Sequence, residues 1–255
     1  MQKISVVIIT YNEEKDIARC IESVKDIADD LVILDSFSTD RTEEIAVGLG
    51  ARFIKQKFEG HIQQKNLAIT YAKYPHVLSL DADEVVSEQL KKEILKVKEN
   101  WDADGYYFNR MTNYCGKWIK HCGWYPDRKL RLWDSRKGQW GGINPHDKFE
   151  MVEGSTIKHI KGDLFHYSYH SISQHVLQID KFTGIGAAEA IGRGKSANIF
   201  LLLVKPVWKF YRDFLMKLGF LDGYYGFVIC GLSSVATFVK YLKMIELKKK
   251  NKAGA

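Results

Sequence analysis

Proline and cysteine are scarce, with 4 of each in 255 residues. Cys20, Cys115, Cys122 and Cys230 form no C-x-x-C pair, and the seven-residue step from Cys115 to Cys122 is not a zinc-knuckle spacing. A chain this long builds its core without covalent staples, so a disulfide framework is not expected and the thiols read as free, in a reducing compartment. Glycine-rich phosphate grips are also missing. Neither G-x-G-x-x-G nor G-x-x-x-x-G-K-[ST] occurs, which argues against a dinucleotide fold and against a P-loop. No internal repeat is present, and the only low-complexity stretch is Lys248-Lys249-Lys250. The first apolar run, Ile4 to Ile9, leads straight into Thr10-Tyr11-Asn12-Glu13-Glu14, so no secretory leader is expected.

What is present is an ordinary globular composition, 45% hydrophobic and 27% charged, with the charge unevenly placed. From Arg193 onward there are 12 Lys and Arg against 3 acids (Asp213, Asp222, Glu246), whereas the preceding residues carry 26 basic and 28 acidic groups. The net charge of +7 is thus a property of the tail. Trp208, Phe210, Tyr211, Phe214, Phe220, Tyr224, Tyr225 and Phe227 interleave with those cations. That mixture suits a membrane interface better than a duplex, so no nucleic-acid partner is expected. Gly223 to Val239 carries no charge over 17 residues, slightly short for a span and better suited to a buried or interfacial helix.

The first hundred residues alternate strand and helix patterns. Ile4 to Ile9, Leu31 to Leu34, Arg52 to Ile54 and Val77 to Leu80 read as strands, near-continuous in β-branched and apolar residues as strands buried on both faces are. Helical stretches fall between them, at Glu13 to Lys25, up to about Gly48, and at Gly60 to Tyr74. Ser87 caps another helix that runs to about Lys98. This order implies an α/β fold with a parallel sheet. From Asp104 to about Tyr169, Gly105 to Phe108 and Lys129 to Trp133 suggest a mixed or antiparallel extension. Ser173 to Ile191 is helical. The division expected is one α/β domain over 1–192 and a basic, aromatic helical tail over 193–255.

In parallel sheets ligands sit at the carboxyl ends of strands. Three polar clusters fall there: Thr10 to Glu13, Asp35 to Asp40, and Asp81 to Glu84. Asp81-x-Asp83 offers hard carboxylate oxygens to Mg²⁺ or Mn²⁺, which would bridge a diphosphate. Alone, such a pair equally well caps the next helix. Asp35 can accept from a base or ribose, and Tyr11 can stack on a base. Arg128, Lys129 and Arg131 are candidate phosphate ligands. Trp124 and Trp133 offer faces to a sugar, core packing being the default for either.

Together, Ser5 to Glu14, Asp35 to Asp40, Gln64-Lys65-Asn66 and Asp81-Ala82-Asp83-Glu84 resemble family 2 glycosyltransferases of the GT-A fold. Trp124 to Trp133, His146-Asp147-Lys148, Phe165 to Tyr169 and Gly219 to Gly223 are similar to bacterial lipopolysaccharide core glucosyltransferases. The resemblance implies a metal-dependent, inverting transfer from a nucleotide sugar, UDP-glucose above all, to a lipopolysaccharide core or other lipid-linked glycan. It implies Thr10, Tyr11, Asn12, Glu13, Asp35, Lys65, Asp81 and Ala82 around the nucleotide. The metal would lie on Asp81, Asp83 and His166, with His146 as another possible ligand. Asp147 is the implied base and Asp127 the reserve; Asp in place of the subgroup's Glu shortens the reach by one methylene. The expected place is the cytoplasmic face of the cell membrane, with the tail as a peripheral anchor. Two other readings stand beside this one. A sugar nucleotidyltransferase is disfavoured because the loop after the first strand has no glycine and two acids. An inactive scaffold of a membrane complex is disfavoured because all three polar clusters are kept.

Overall fold

The β-branched run after Lys3 forms β1 (Ile4–Thr10), whose neighbours bury it on both faces. The structure is a computed structural model that describes residues 1–143 and 146–253; the side chains at 143, 146 and 251–253 lie outside that description. Going along the chain, α1 (Ile17–Val24), β2 (Asp30–Asp35), α2 (Thr42–Gly48), β3 (Arg52–Lys55), α3 (His61–Thr70) and β4 (His76–Asp81) complete the alternating half. Its strands lie parallel in the order β3-β2-β1-β4. Period-2 alternation splits the core: Val6 and Ile8 pack with Ile17, Ile21 and Val24 of α1, while Val7 packs with Val32, Val77 and Ala68 of α3.

After β4 come β5 (Glu84–Val86), α4 (Glu88–Glu99), β6 (Gly105–Tyr114), β7 (Lys117–Trp118), β8 (Asp127–Asp134), β9 (Gly138–Ile143), β10 (His146–Met151) and β11 (Ile157–Tyr169). Ser87 caps α4 by accepting from the Leu90 N–H (3.2 Å). The sheet continues past β4 as β8-β6-β11-β5, with β8 antiparallel to β4 and to β6. The expected mixed extension is therefore there, joined edge to edge with the parallel strands. β9 and β10 form a separate antiparallel hairpin.

The chain divides into two compact units, Met1–Met111 with Asp127–Tyr167, and Thr112–Pro126 with everything from Ser168 onward. The boundary expected at 192 thus falls at 167, and a segment from the middle of the chain joins the second unit. Hydrogen bonds far apart in sequence explain the shift. Asp222 accepts from the N–H groups of Lys120 (3.3 Å) and His121 (2.8 Å), and its carbonyl accepts from Lys117 Nζ (2.6 Å). The second unit also holds α5 (Ile172–Gly192), α6 (Ile199–Tyr211), a π-helical turn (Arg212–Met216), a 3₁₀ turn (Gly219–Asp222) and α7 (Gly223–Ala253). A Cβ on Gly226 would lie 1.9 Å from the Gly219 carbonyl oxygen, so only glycine lets α7 begin against that turn. Tyr114, Ile119, Cys122, Ile229 and Cys230 form one core of this unit, and Ala187, Ala190 and Met244 a smaller one between α5 and α7. All four cysteines are free thiols.

Candidate active site

Register brings the polar clusters to one edge: Thr10 lies opposite Asp35 and Ile9 opposite Asp81. The two loops leaving that edge lock together. Asn12, at φ +54°, takes the left-handed conformation that its short amide tolerates. Its N–H donates to Ser38 Oγ (2.8 Å), and its Oδ1 accepts from the Thr39 N–H (2.8 Å). The Glu13 N–H donates to Thr42 Oγ1 (2.8 Å). Asp35 is fully buried, and its two oxygens accept from the N–H and the hydroxyl of Ser38. Expected to meet a base or ribose directly, Asp35 instead turns inward and shapes the loop. Tyr11, 58% exposed, is the ring the loop after β1 presents to solvent. Thr10 Oγ1 is buried with no hydrogen-bond partner among the described residues.

Beneath this edge runs a row of alternating charges. Lys65 Nζ lies 3.0 Å from Asp81 Oδ1 and 2.8 Å from Asp147 Oδ2. Arg131 Nη2 lies 2.8 Å from both Asp81 Oδ2 and Glu84 Oε1. Glu84, wholly buried, also meets Arg110 Nη1 (3.2 Å) and accepts from the Asp81 N–H (3.0 Å). Arg110 continues to Asp127 (2.8 Å), which pairs with Lys129 (3.1 Å). Burial alone would raise the Asp81 carboxyl, but Lys65 and then Arg131 outweigh it and hold it well below the usual carboxylate range. Burial likewise lowers Arg131, yet Glu84 and Asp81 push it up on balance.

The hairpin delivers Asp147 to this row. Asn66 on α3 grips Trp140 of β9 twice, donating to its carbonyl (2.8 Å) and accepting its N–H (2.9 Å). Lys65, one residue earlier, sets its ammonium 4.5 Å from the centre of the Trp140 ring. Phe149, paired with Trp140 in register, stacks on Trp133 at 3.8 Å. Trp133 is fully buried, so it anchors the hairpin and offers no face to a sugar.

Asp83 stands apart from the Lys65 and Arg131 contacts. Its carboxylate meets His166 Nε2 at 3.1 Å, placed there because His166 pairs with Glu84 in register and the Tyr167 N–H bonds the Asp83 carbonyl (2.9 Å). Burial raises the Asp83 carboxyl, but the charge and hydrogen bond of His166 bring it below its ordinary value. Glu13 is pushed up to about 8, by burial first and then by Asp83, Asp16, Asp40 and Asp81. His166 Nδ1 is buried with no hydrogen-bond partner among the described residues. A carboxylate beside an imidazole, in a pocket with surplus negative charge, fits a divalent cation such as Mn²⁺ or Mg²⁺. Among the described residues no three His, Cys, Asp or Glu side chains form a complete protein shell, so diphosphate oxygens and water would supply the rest. Asp81 enters this set only at one remove, since both its oxygens are engaged by Lys65 and Arg131. The side chain of His146 lies outside the described residues.

Other expectations change with the geometry. Arg128 leaves the site: as the immediate neighbour of Lys129 and Asp127 it turns to the other face of β8, 5.6 Å from the centre of the Tyr107 ring. Arg131 faces the site but is 3% exposed, so it fixes Asp81 and does not reach for phosphate. Lys129, paired with Asp127 and 34% exposed, is the freer cation. The Ala82 methyl packs into the core, leaving only its backbone for a nucleotide. Asp127 is shared by Arg110 and Lys129. Glu84 and Arg110 were not foreseen. Glu84 stood beside the metal pair in sequence, whereas Arg110 joins only through the antiparallel pairing of Arg110 with Asp127.

Four parallel strands continued by an antiparallel extension, with the charged groups at the carboxyl edge, make a sheet of the GT-A type. The chain belongs to glycosyltransferase family 2, whose model (Glycosyl transferase family 2) matches residues 5–152. An uncharacterized glycosyltransferase of Rickettsia typhi is 31% identical over 262 residues, covering 99% of this chain and 90% of that one. The lipopolysaccharide core biosynthesis glycosyltransferase LpsC of Rhizobium meliloti is 25% identical, covering 95% of this chain and 92% of its own. A solved glucosyl-3-phosphoglycerate synthase from Mycobacterium tuberculosis is 22% identical over 44% of each chain at a TM-score of 0.38, too slight a likeness to carry an argument.

Proposed function

We propose that this glycosyltransferase moves a sugar, with inversion, from a nucleotide diphosphate donor to a hydroxyl of a lipid-linked glycan. The observation that carries the reading is the bridge made by Lys65, which holds Asp147 of the hairpin and Asp81 of the donor edge on one ammonium. Asp147 thereby stands beside the donor pocket, its side chain 11% exposed. An acceptor hydroxyl would pass its proton to an Asp147 oxygen as it attacks the anomeric carbon, and the nucleoside diphosphate would leave. Tyr11 would stack on the base, and the Ala82 backbone would line the nucleotide. Lys129 would face the diphosphate charge. Asp83 and His166 would hold a divalent cation, which when bound neutralises charge on the departing diphosphate.

UDP-glucose is the donor to test first. A lipopolysaccharide core acceptor draws support from the named activity of LpsC, similar over nearly its whole length. With such an acceptor the enzyme would work at the cytoplasmic face of a membrane. The test is a panel of radiolabelled nucleotide sugars incubated with the protein, Mn²⁺ and membrane extract. Incorporation from one donor, lost in Asp147→Asn with nucleotide binding intact, is the expected result. Full activity in that variant would move the base elsewhere, and no incorporation or hydrolysis from any donor would sink the reading.

A further inference from the structure

The helices of the second unit carry more exposed apolar surface than a soluble helical layer needs. From Ile199 on α6 the steps to Phe200, Leu203, Val207, Trp208 and Tyr211 keep to one half of the helix at about 100° per residue. These six side chains are between 49% and 71% exposed. The stripe does not stop with the helix. Leu215, Met216, Leu218 and Leu221 in the following turns are 44% to 61% exposed, and Tyr224 and Phe227 open α7 at 68% and 55%. A run this long exceeds the scattered apolar residues normal on a soluble surface.

The other side of α6 is occupied. Ser234 Oγ of α7 donates to the Pro206 carbonyl (2.8 Å), and Phe210 packs on the core around Ile229 and Cys230. α7 is long and apolar enough to cross a bilayer by length and composition. Its second half is held otherwise: Met244 is buried against Ala187 and Ala190 of α5, and Lys243 Nζ reaches Asp180 at 2.8 Å. Crossing a bilayer would strip α7 from α5.

We propose that the exposed stripe of α6 and the turns after it form a monotopic docking surface for an anionic lipid bilayer, with α6 lying in the plane of the headgroups and α7 remaining on the protein side. Charge selects this occupant. The chain from Arg193 carries 12 cations against 3 acids, and Lys205 and Lys217 are exposed within the stripe's own segment. A second copy would bring the net positive charge of this segment against its own counterpart, because a two-fold interface is self-complementary. An anionic bilayer supplies the opposite sign, together with an apolar layer at the depth Trp and Tyr prefer. The surface stands on exposure and charge alone; only its purpose, bringing the enzyme to a lipid-borne acceptor, rests on the proposed reaction.

The experiment is flotation of the full chain with phosphatidylcholine vesicles, and with vesicles containing about 30% phosphatidylglycerol, at about 0.15 M salt. The protein should rise with the anionic vesicles. Leu203→Glu/Val207→Glu should weaken that binding at least about tenfold, with an unchanged circular dichroism spectrum and unchanged vesicle-free hydrolysis of the nucleotide sugar. The milder Leu203→Gln/Val207→Gln guards against a folding artefact and should lose binding in part. Equal flotation of wild type and both variants would overturn the proposal. So would a wild type that stays in solution and sediments as a dimer which the Glu variant dissociates, making this face a protein interface. Binding neutral vesicles as well as anionic ones would remove the charge argument. Flotation without any sugar-nucleotide turnover would fail the reaction and leave the surface standing.

Discussion

In the first unit charged side chains are buried and paired, whereas in the second large apolar ones lie in solvent. Glu84, Arg131 and Lys65 are at most 4% exposed, yet each meets at least one opposite charge. Ile199, Phe200 and Val207 are at least 70% exposed, with nothing of their own kind over them. Both arrangements reverse the usual economy of folding, in which charges stay wet and large apolar groups dry. Under the two proposals each reversal marks an unfinished surface: the first would take a small polyanionic ligand with its cation, the second a sheet of lipid.

The sharpest break in the comparison is Asp83→Ala. With the carboxylate proposed to hold the metal gone, Mn²⁺-dependent nucleotide binding should vanish by calorimetry and turnover should fall by about 10³-fold, while vesicle binding stays. Full activity in that variant would remove the metal from the site. Next is Arg131→Met, which leaves fully buried Glu84 facing Asp81 with less counter-charge. Urea denaturation should show a loss of about 3–5 kcal/mol, the usual cost of an orphaned buried charge. A change within about 0.5 kcal/mol would mean water reaches the row.

A smaller effect separates the units by pH. Glu13 keeps its proton up to about 8 in the folded chain. Below about 4.5 both states hold that proton; between there and 8 only the unfolded chain ionises, so stability should fall as pH rises, by at most about 1.4 kcal/mol per unit. Burial pushes His175 of the second unit down to about 4. The unfolded chain takes up that proton below about 6.5, so this contribution is lost as pH falls. Amide protection factors, taken relative to intrinsic exchange at each pH, should therefore fall around Glu13 at pH 8 and around His175 at pH 5, and Glu13→Gln should abolish the first trend alone. The smallest effect is Arg128→Ala, off the site face, which should alter stability by no more than about 0.5 kcal/mol and leave turnover unchanged. A tenfold loss of turnover would return Arg128 to the site.

Much of the first unit is legible in the chain. The four parallel strands follow from continuous β-branched runs, and the polar clusters from their place at strand ends. Arg110 and the inward turn of Asp35 are not legible. Arg110 needs the antiparallel register of β6 on β8, fixed by residues 17 positions away, and Asp35 is buried by a loop that folds back through Ser38. The domain boundary failed for the same reason. Nothing local in Thr112–Pro126 announces that Asp222, about a hundred residues on, will take its backbone N–H groups.

Sequence by itself determined the alternating half of the fold, the carboxylates of its ligand edge and the basic, apolar character of the tail, because hydrophobic period, strand-end position and composition are local properties. Tertiary structure alone decided which carboxylates are held by cations and which one meets His166, and that Asp147 meets Asp81 through Lys65. It alone decided which side of α6 stays uncovered. Those facts depend on distances between residues far apart in the chain, set by register and packing, and no local pattern encodes them.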